Sequence, residues 1–303
     1  MIPITLQKSN QLKSIAILMM LCLHLFNQNY HGLFQPLLFI GNQPLSYYIS
    51  LFSDVCVPIF AFVSGYGLYF SYSNNKETYL EKNTERTKKL YVRYWIILLL
   101  FAVFLGWLLN KDGYPGTWQK FVLNLTGLQT SYNGAWWFFT TYILFVFTSK
   151  FWFKLLDRAN PYLYFVGLLI LYLVGFYFRV YKSNLFENVY SHWLHSQSAL
   201  YFCTLFQFMV GAFALKYNWH KKVTSLFAIV KYKNAIVLFG IILLIVFHGL
   251  MPNLIIAPLT AVGFIFLFLQ LKFGQRVDNS LDFFTPHATN LWLVHMFLYL
   301  IYF

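Results

Sequence analysis

The stretch KSIAILMMLCLHLF, residues 13–26, is an apolar run that begins with one cation and contains one histidine, His24. In an α-helix, eleven residues turn through about 1100°, so Lys13 and His24 lie within about 20° of each other. They are separated by roughly 16 Å along the axis, about half of a bilayer core. A functional site and a histidine that only donates to a neighbouring helix both fit this arrangement, because an ionisable group at that depth needs a cavity or a partner.

The composition extends this pattern to the whole chain of 303 residues, which is 59% hydrophobic and only 10% charged. Soluble domains carry far more charge. Apolar runs near twenty residues recur without alternating polarity, which predicts helices as the spanning elements. We therefore expect a single all-α domain over residues 1–303, a polytopic transmembrane helical bundle in the cytoplasmic membrane. Nine spans are predicted, at 11–30, 47–71, 90–109, 136–156, 160–179, 198–215, 234–249, 253–271 and 287–303.

The net charge of +13 supports an orientation rather than a nucleic-acid partner. With the N-terminus in the cytoplasm, the only cations outside are Lys111, Lys120, Arg179 and Lys182, out of 22. Cytoplasmic loops of membrane proteins carry this excess of Lys and Arg. The pattern predicts a cytoplasmic N-terminus, the lipid bilayer as a partner, and no nucleic acid. The segment 117–129 is apolar but interrupted, which favours an interfacial or re-entrant piece.

The second predicted span contains SLFSDVCVPIFAFVSGYGLYFS, residues 50–71. Pro58 is expected to kink the helix and to leave backbone carbonyls without their usual donors. Ser64, Gly65 and Gly67 permit another helix to approach closely, so a packing seam is the simplest interpretation of these three positions.

Asp54 is the most informative residue of this span. In antiparallel neighbours, Asp54 and His24 would lie at similar depth, roughly 10 Å and 9 Å below the outer surface. We therefore expect Asp54 to hydrogen-bond His24, which would fix its tautomer and raise its basicity. The alternative is a solvated Asp54 in the outer interface.

A basic segment precedes the third span at residues 74–95, NNKETYLEKNTERTKKLYVRYW. Its Glu and Lys or Arg residues recur at helical spacing, which predicts an amphipathic surface helix that continues into the span. Lys89 and Arg93 then form part of a cationic platform for a phosphate-bearing donor, and Arg93 lies closest to the membrane. A loop that sets topology and contacts lipid is an equal alternative.

Two other spans carry polar or aromatic features near their ends. Trp136 and Trp137 at the entrance of the fourth span are typical interface anchors, or else the wall of a sugar site. In the last span we expect Asn290 and His295 to be buried in an apolar run, where His295 is either a second pathway residue or a packed polar contact.

The remaining histidines give weak signals. His192 and His195 have an H-x-x-H spacing but no third ligand, so no metal site is predicted. His220 lies in a basic loop and His248 at a helix end, and both look incidental.

Together these stretches resemble the acyltransferase family 3 of integral-membrane O-acyltransferases. The matching features are Lys13 with His24, the FAFVSGY block that contains Tyr66, Arg93-Tyr94, Trp136-Trp137-Phe138, and NLWLVH at residues 290–295. They occur in family order over nearly the whole chain.

Two departures from the family pattern stand out. Lys13 replaces the usual arginine, which keeps the charge but loses the planar fork that grips phosphate. The family typically has ten spans, so the chain is expected to lack the last transmembrane helix.

The resemblance implies transfer of an acyl group, expected to be acetyl, from acyl-CoA to a saccharide hydroxyl. Acyl-CoA would be a co-substrate, no cofactor is tightly bound, and the acceptor is a cell-surface or lipid-linked glycan. We expect His24, as general base or acyl carrier, to work with Asp54 in catalysis, and Lys13, Arg93 and Lys89 to bind the donor. The other matched positions are acceptor-binding or structural: Ser64, Gly65, Tyr66, Trp136, Trp137, Asn290 and His295. The alternatives are a transporter or flippase for a lipid-linked sugar, or a truncated non-catalytic relative.

Overall fold

The computed structural model describes residues 4–30, 32 and 34–301, which are predominantly helical. The predicted all-α membrane bundle is confirmed. The α-helices are α1 Leu6–Phe26, α2 Leu45–Phe52, α3 Cys56–Asn74, α4 Tyr79–Ile97, α5 Gly106–Leu108, α6 Trp118–Leu125, α7 Trp137–Arg158, α8 Pro161–Val180, α9 Val189–Lys216, α10 Trp219–Phe227, α11 Lys233–Leu250, α12 Ala257–Phe268, α13 Gln275–Phe284 and α14 Ala288–Met296. Three 3-10 turns (Ser53–Val55, Gly134–Trp136, Thr285–His287), two π-helical segments (Leu98–Leu105, Phe297–Ile301) and one antiparallel ribbon (β1 Phe39–Ile40, β2 Gln43–Pro44) complete the described elements.

Six helices in the described part of the chain are long and apolar enough to cross a membrane. They are Leu6–Phe26, Leu45–Asn74, Tyr79–Leu108, Pro161–Val180, Val189–Lys216 and Lys233–Leu250. Each of the six coincides with a predicted span. The other three predicted spans contain α7, the shorter α12 and α14, which are not among these six helices, so those spans stay predictions. The segment predicted to be interfacial or re-entrant forms α6, whose eight residues are too few to span a bilayer.

The chain forms two compact units. Unit 1 comprises residues 1–70 and 155–288, and unit 2 comprises residues 71–154 and 289–303. Unit 1 therefore contains α1, α2, most of α3 and α8 to α13. Unit 2 contains α4 to α6, most of α7 and most of α14.

Unit 1 is built on α9, whose C-terminal half is buried on all sides. A helix that is hydrophobic all round is a core helix. Its neighbours approach it at glycines: a Cβ on Gly65 of α3 would lie 1.7 Å from the Phe208 carbonyl oxygen, and one on Gly211 of α9 would lie 2.0 Å from that of Phe62. On the other side, a Cβ on Gly175 of α8 would lie 2.6 Å from the Cys203 nitrogen. The predicted packing seam is thus present at Gly65.

The second membrane helix is interrupted where Pro58 requires it. In a regular helix the residue 58 nitrogen would donate to the carbonyl of Asp54, and proline has no hydrogen to donate. The chain tightens there into the 3-10 turn Ser53–Val55, between α2 and α3. Asp54 lies within this 3-10 turn, which we call the break in the second membrane helix; the kink itself stays a prediction.

Unit 2 has an aromatic core around Tyr94 of α4. The Tyr94 ring stacks on Phe139 with centroids 4.2 Å apart and meets Trp136 edge-on at 4.7 Å. Phe297 packs against Trp136 at 5.5 Å. The basic segment enters this core within one continuous helical stretch, because α4, the π-helical segment Leu98–Leu105 and α5 follow one another without a gap from Tyr79 to Leu108. This confirms the predicted amphipathic helix that runs into the third span.

We expect Gly65→Ala to destabilise the protein strongly. Overpacking usually costs about 1–3 kcal/mol, and here the added methyl meets a backbone carbonyl of α9 that has no rotamer to change. Thermal unfolding of the detergent-solubilised protein should show a clearly lower midpoint.

Gly67→Ala is the matched control on the same helix. A Cβ at Gly67 meets nothing within 4 Å, so its unfolding midpoint should stay close to that of the wild type. Equal midpoints for the two variants would contradict the close crossing of α3 and α9.

Candidate functional site

The helix α1 carries both residues of the first motif. Lys13 and His24 are half-buried, and one uninterrupted helix of 21 residues holds them. Its N-terminal half is fixed by polar contacts to α13 and the turn after it: Gln11 Nε2 donates to Asp278 Oδ1 at 2.7 Å, and the Ser14 hydroxyl lies 2.9 Å from that of Thr285. These contacts fix the position of α1 and, with it, the helix face that carries Lys13 and His24, which we call the stripe.

Asp54 pairs with His248 rather than with His24. Its Oδ1 lies 3.0 Å from Nε2 of His248, which is fully buried, and none of the described polar contacts joins it to His24. The expected Asp54–His24 pair is therefore wrong, and so is the interpretation of His248 as incidental. The break in the second helix turns Asp54 toward α11, where His248 ends the run of apolar residues.

His248 has a second polar neighbour on α12. Its Nδ1 lies 3.0 Å from the Thr260 hydroxyl, and Thr260 is also buried. That hydroxyl lies 3.2 Å from the carbonyl oxygens of both Ile256 and Ala257. Sequence reasoning missed this network, because nothing in the local pattern around His248 or Thr260 marks them as neighbours of Asp54.

The network adjoins the helix that carries His24. α1 packs against α2 and the turn Ser53–Val55. The side chain of Cys22 of α1 lies close to that of Ser53, the residue before Asp54. His24 follows Cys22 by two residues, so the first helix and the break in the second are held together at this level.

The block around Tyr66 is largely occupied by packing contacts. The Tyr66 hydroxyl accepts from the backbone nitrogen of Ile4 at 2.8 Å, and its ring stacks on Phe62. Gly65 lies at the crossing with α9, and Ser64 is half-buried beside it. Of the two roles expected for these residues, the structural one fits Gly65 and Tyr66.

In unit 2, Lys89 and Arg93 are exposed on α4. Arg86 is the more constrained cation, because its guanidinium donates to Asn83 Oδ1 at 2.6 Å and to Ser71 Oγ at 2.9 Å. A surface cavity of about 570 Å³ adjoins it, lined by Asn75, Thr78, Glu81, Lys82, Glu85, Arg86 and Lys89. The sequence placed the cations on this helix but did not distinguish Arg86.

The entrance of α7 is clamped to α14 within unit 2. Trp136 Nε1 and Asn133 Nδ2 both donate to the Leu293 carbonyl, at 2.9 Å and 3.1 Å. Trp292 Nε1 returns a bond to the Ala135 carbonyl at 2.9 Å. Trp136 is fully buried, so its role in this structure is packing, whereas Trp137 is half-buried.

The two polar residues of the last predicted span differ in burial. His295 is buried, as expected, and its Nδ1 lies 2.8 Å from the Trp292 carbonyl. Asn290 is exposed, which corrects the expectation that both residues are buried. The five-residue spacing puts them on different faces of α14, and of the two side chains that of His295 is the one that packs inward.

The model of the Acyl_transf_3 family, described as an acyltransferase domain, matches residues 7–303. The chain belongs to the acyltransferase 3 family. The match confirms the resemblance drawn from the ordered motifs, and it covers α1 with Lys13 and His24 as well as both compact units. No curated protein and no solved structure matches the chain significantly.

In this family member we expect Trp136→Phe to lower the unfolding midpoint. The substitution removes an indole donor from a buried carbonyl and leaves a gap beside Tyr94. Loss of a buried hydrogen bond and part of a ring costs about 1–3 kcal/mol. Thermal unfolding in detergent measures the effect.

Trp107→Phe makes the same chemical change at a side chain that is 69% exposed. It should leave the midpoint nearly unchanged. The clamp would be refuted if Trp136→Phe were as mild as this control.

Proposed function

We propose that this protein is a membrane O-acyltransferase that moves an acyl group, expected to be acetyl, from cytosolic acyl-CoA to a hydroxyl of a cell-surface or lipid-linked saccharide. The observation that carries the proposal is the family match over residues 7–303, with Lys13 and His24 on one face of α1. The described fold is a multi-pass membrane protein, which suits a donor on one side of the bilayer and an acceptor on the other.

His24 supplies the chemistry in this proposal. As a general base it takes the proton of the acceptor hydroxyl, whose oxygen then attacks the thioester carbonyl. The carbon–sulfur bond breaks, and the CoA thiolate leaves and takes up the proton. As an acyl carrier, His24 attacks the thioester first and passes the acyl group to the hydroxyl afterwards. A half-buried imidazole serves either route, since water is partly excluded around it.

The donor is assigned to the cationic residues. Lys13 carries its charge on the stripe of His24, and Lys89 and Arg93 are exposed on α4, where phosphates of a cytosolic donor have access. Cations of this kind bind phosphate by charge-assisted hydrogen bonds. This assignment requires the cytoplasmic N-terminus that the charge pattern predicts.

We expect His24→Ala to abolish transfer while the protein stays folded. General acid–base catalysis contributes about 10²- to 10⁴-fold to a rate. The rate at which label passes from acetyl-labelled acetyl-CoA to a lipid-linked glycan fraction should therefore fall by a factor of about 10² or more. Membranes that contain equal amounts of each protein provide the comparison.

His287→Ala is the control, because His287 is exposed in the turn after α13. It should transfer label at the wild-type rate. A folded His24→Ala protein with near-normal transfer would exclude the assignment. No label from the wild type, combined with glycan movement that needs a proton gradient, would favour the transporter alternative instead.

Lys13→Leu should raise the KM for acetyl-CoA about tenfold or more, since a charge-assisted contact is worth about 1.5–3 kcal/mol. Lys13→Arg should keep the KM for acetyl-CoA close to that of the wild type, because arginine keeps the charge and adds the planar fork. The measurement is initial transfer rate against acetyl-CoA concentration. Lys221→Leu, an exposed cation on α10, is the control; an equal KM for Lys13→Leu and this control would remove Lys13 from the donor site.

A further inference from the structure

The network of Asp54, His248 and Thr260 joins three separate elements of unit 1 in apolar surroundings. His248 is 0% exposed and Thr260 1%, whereas the Asp54 side chain is 26% exposed. Buried polar groups are costly unless they are paired. The exposed member is thus the carboxylate, and the imidazole and hydroxyl lie behind it.

The number of hydrogens on the Thr260 hydroxyl and the His248 imidazole limits how hydrogen bonds can be arranged in the network. If the Thr260 hydroxyl donates to a helix carbonyl, its oxygen accepts from Nδ1–H of His248; if it turns to donate to Nδ1, then Nε2 carries the proton. Nε2 of His248 and Oδ1 of Asp54 lie 3.0 Å apart, which is the distance of an ion pair, but their geometry is not that of an aligned hydrogen bond. Oδ1 is therefore the carboxylate oxygen that faces His248.

The other carboxylate oxygen has a different environment. Oδ1 is fully buried, so the exposed part of the Asp54 side chain consists of its remaining atoms, Oδ2 among them. A carboxylate oxygen accepts hydrogen bonds from neutral hydroxyl groups strongly, because the acceptor carries charge. Oδ2 is the carboxylate oxygen that does not face His248, so it is the atom of the network left to accept from a hydroxylated ligand.

Asp54, which carries this oxygen, lies in a turn that packs against α1. Pro58 causes this turn, and the side chain of the preceding Ser53 lies close to that of Cys22 of α1. Cys56 of α3 and Tyr172 of α8 are the other titratable groups that interact with Asp54, and Arg179 of α8 interacts with Tyr172. The turn that carries Asp54 therefore packs against both α1, the helix of His24, and α12, the helix of Thr260.

We propose that His248 and Thr260 are positioning residues that hold Asp54 so that its Oδ2 binds and orients the acceptor hydroxyl of a polyhydroxylated substrate. The inference rests on the proposed function, and it assigns the acceptor side of the site to the break in the second membrane helix. Asp54 touches the acceptor, whereas His248 and Thr260 act through Asp54.

The test separates acceptor binding from donor binding. Initial rates are measured against graded dilutions of the lipid-linked glycan fraction and, separately, against acetyl-CoA. Asp54→Asn and His248→Phe should each raise the apparent KM for the glycan about tenfold or more and leave the KM for acetyl-CoA unchanged. A merely structural role would move both constants or lower only the amount of folded protein.

Conservative variants keep the test decisive if His248→Phe does not fold. His248→Gln places an amide N–H near the position of Nε2 and should keep the glycan KM within about threefold. Thr260→Val should raise the glycan KM, whereas Thr260→Ser, which keeps the hydroxyl, should leave it close to the wild-type value. His287→Gln is the matched control at an exposed histidine. Folded Asp54→Asn and Thr260→Val proteins with a wild-type glycan KM would overturn the proposal.

A measurement without transfer distinguishes this inference from the proposed function. Labelled glycan fraction is applied to immobilised protein in the absence of acyl-CoA, and retention is compared among the same variants. Loss of retention in Asp54→Asn and His248→Phe, with retention kept in His248→Gln, supports the network even if no acetyl is transferred. Normal transfer by the wild type with unchanged retention in every variant would reject the network and leave the acyltransferase assignment intact.

Discussion

The close approach of α3 and α9 is the constraint on which unit 1 depends. At Gly65 and Gly211 the two backbones come so near that neither position has room for a methyl group. Helices in a membrane gain little from the hydrophobic effect, so small residues that permit tight contact take its place. This crossing fixes α3, the C-terminal part of the second membrane helix, against the core helix of the unit, and the break before Pro58 then determines where Asp54 lies.

Polar groups add a second constraint, because the apolar surroundings offer them no water. Asp54, His248 and Thr260 form a series of two 3.0 Å contacts across three elements, and the partly exposed residue of that series is Asp54. The same rule explains α1, where Gln11 and Ser14 bond to α13 and the turn that follows it. In the proposed reaction, this pairing holds His24 on a fixed helix and Asp54 on a fixed turn.

Unit 2 follows the same logic with different residues. The Leu293 carbonyl receives donors from Trp136 and Asn133, so the entrance of α7 is tied to α14. Arg86 is held by Asn83 and Ser71, which orders the basic face of α4 beside an open cavity. A cation whose position is fixed by neutral acceptors keeps its charge available to an anionic ligand.

The sequence by itself determined the helical membrane fold, the stripe of Lys13 and His24, the break at Pro58 and the continuous helix from the basic segment into the third span. These features follow from local rules: apolar runs of spanning length, helical periodicity and the missing proline N–H. Only the tertiary structure decided that Asp54 pairs with His248, that Trp136 is buried and that Asn290 is exposed. Those outcomes depend on which distant helices become neighbours and how each is rotated, and neither is encoded in the pattern of a single segment.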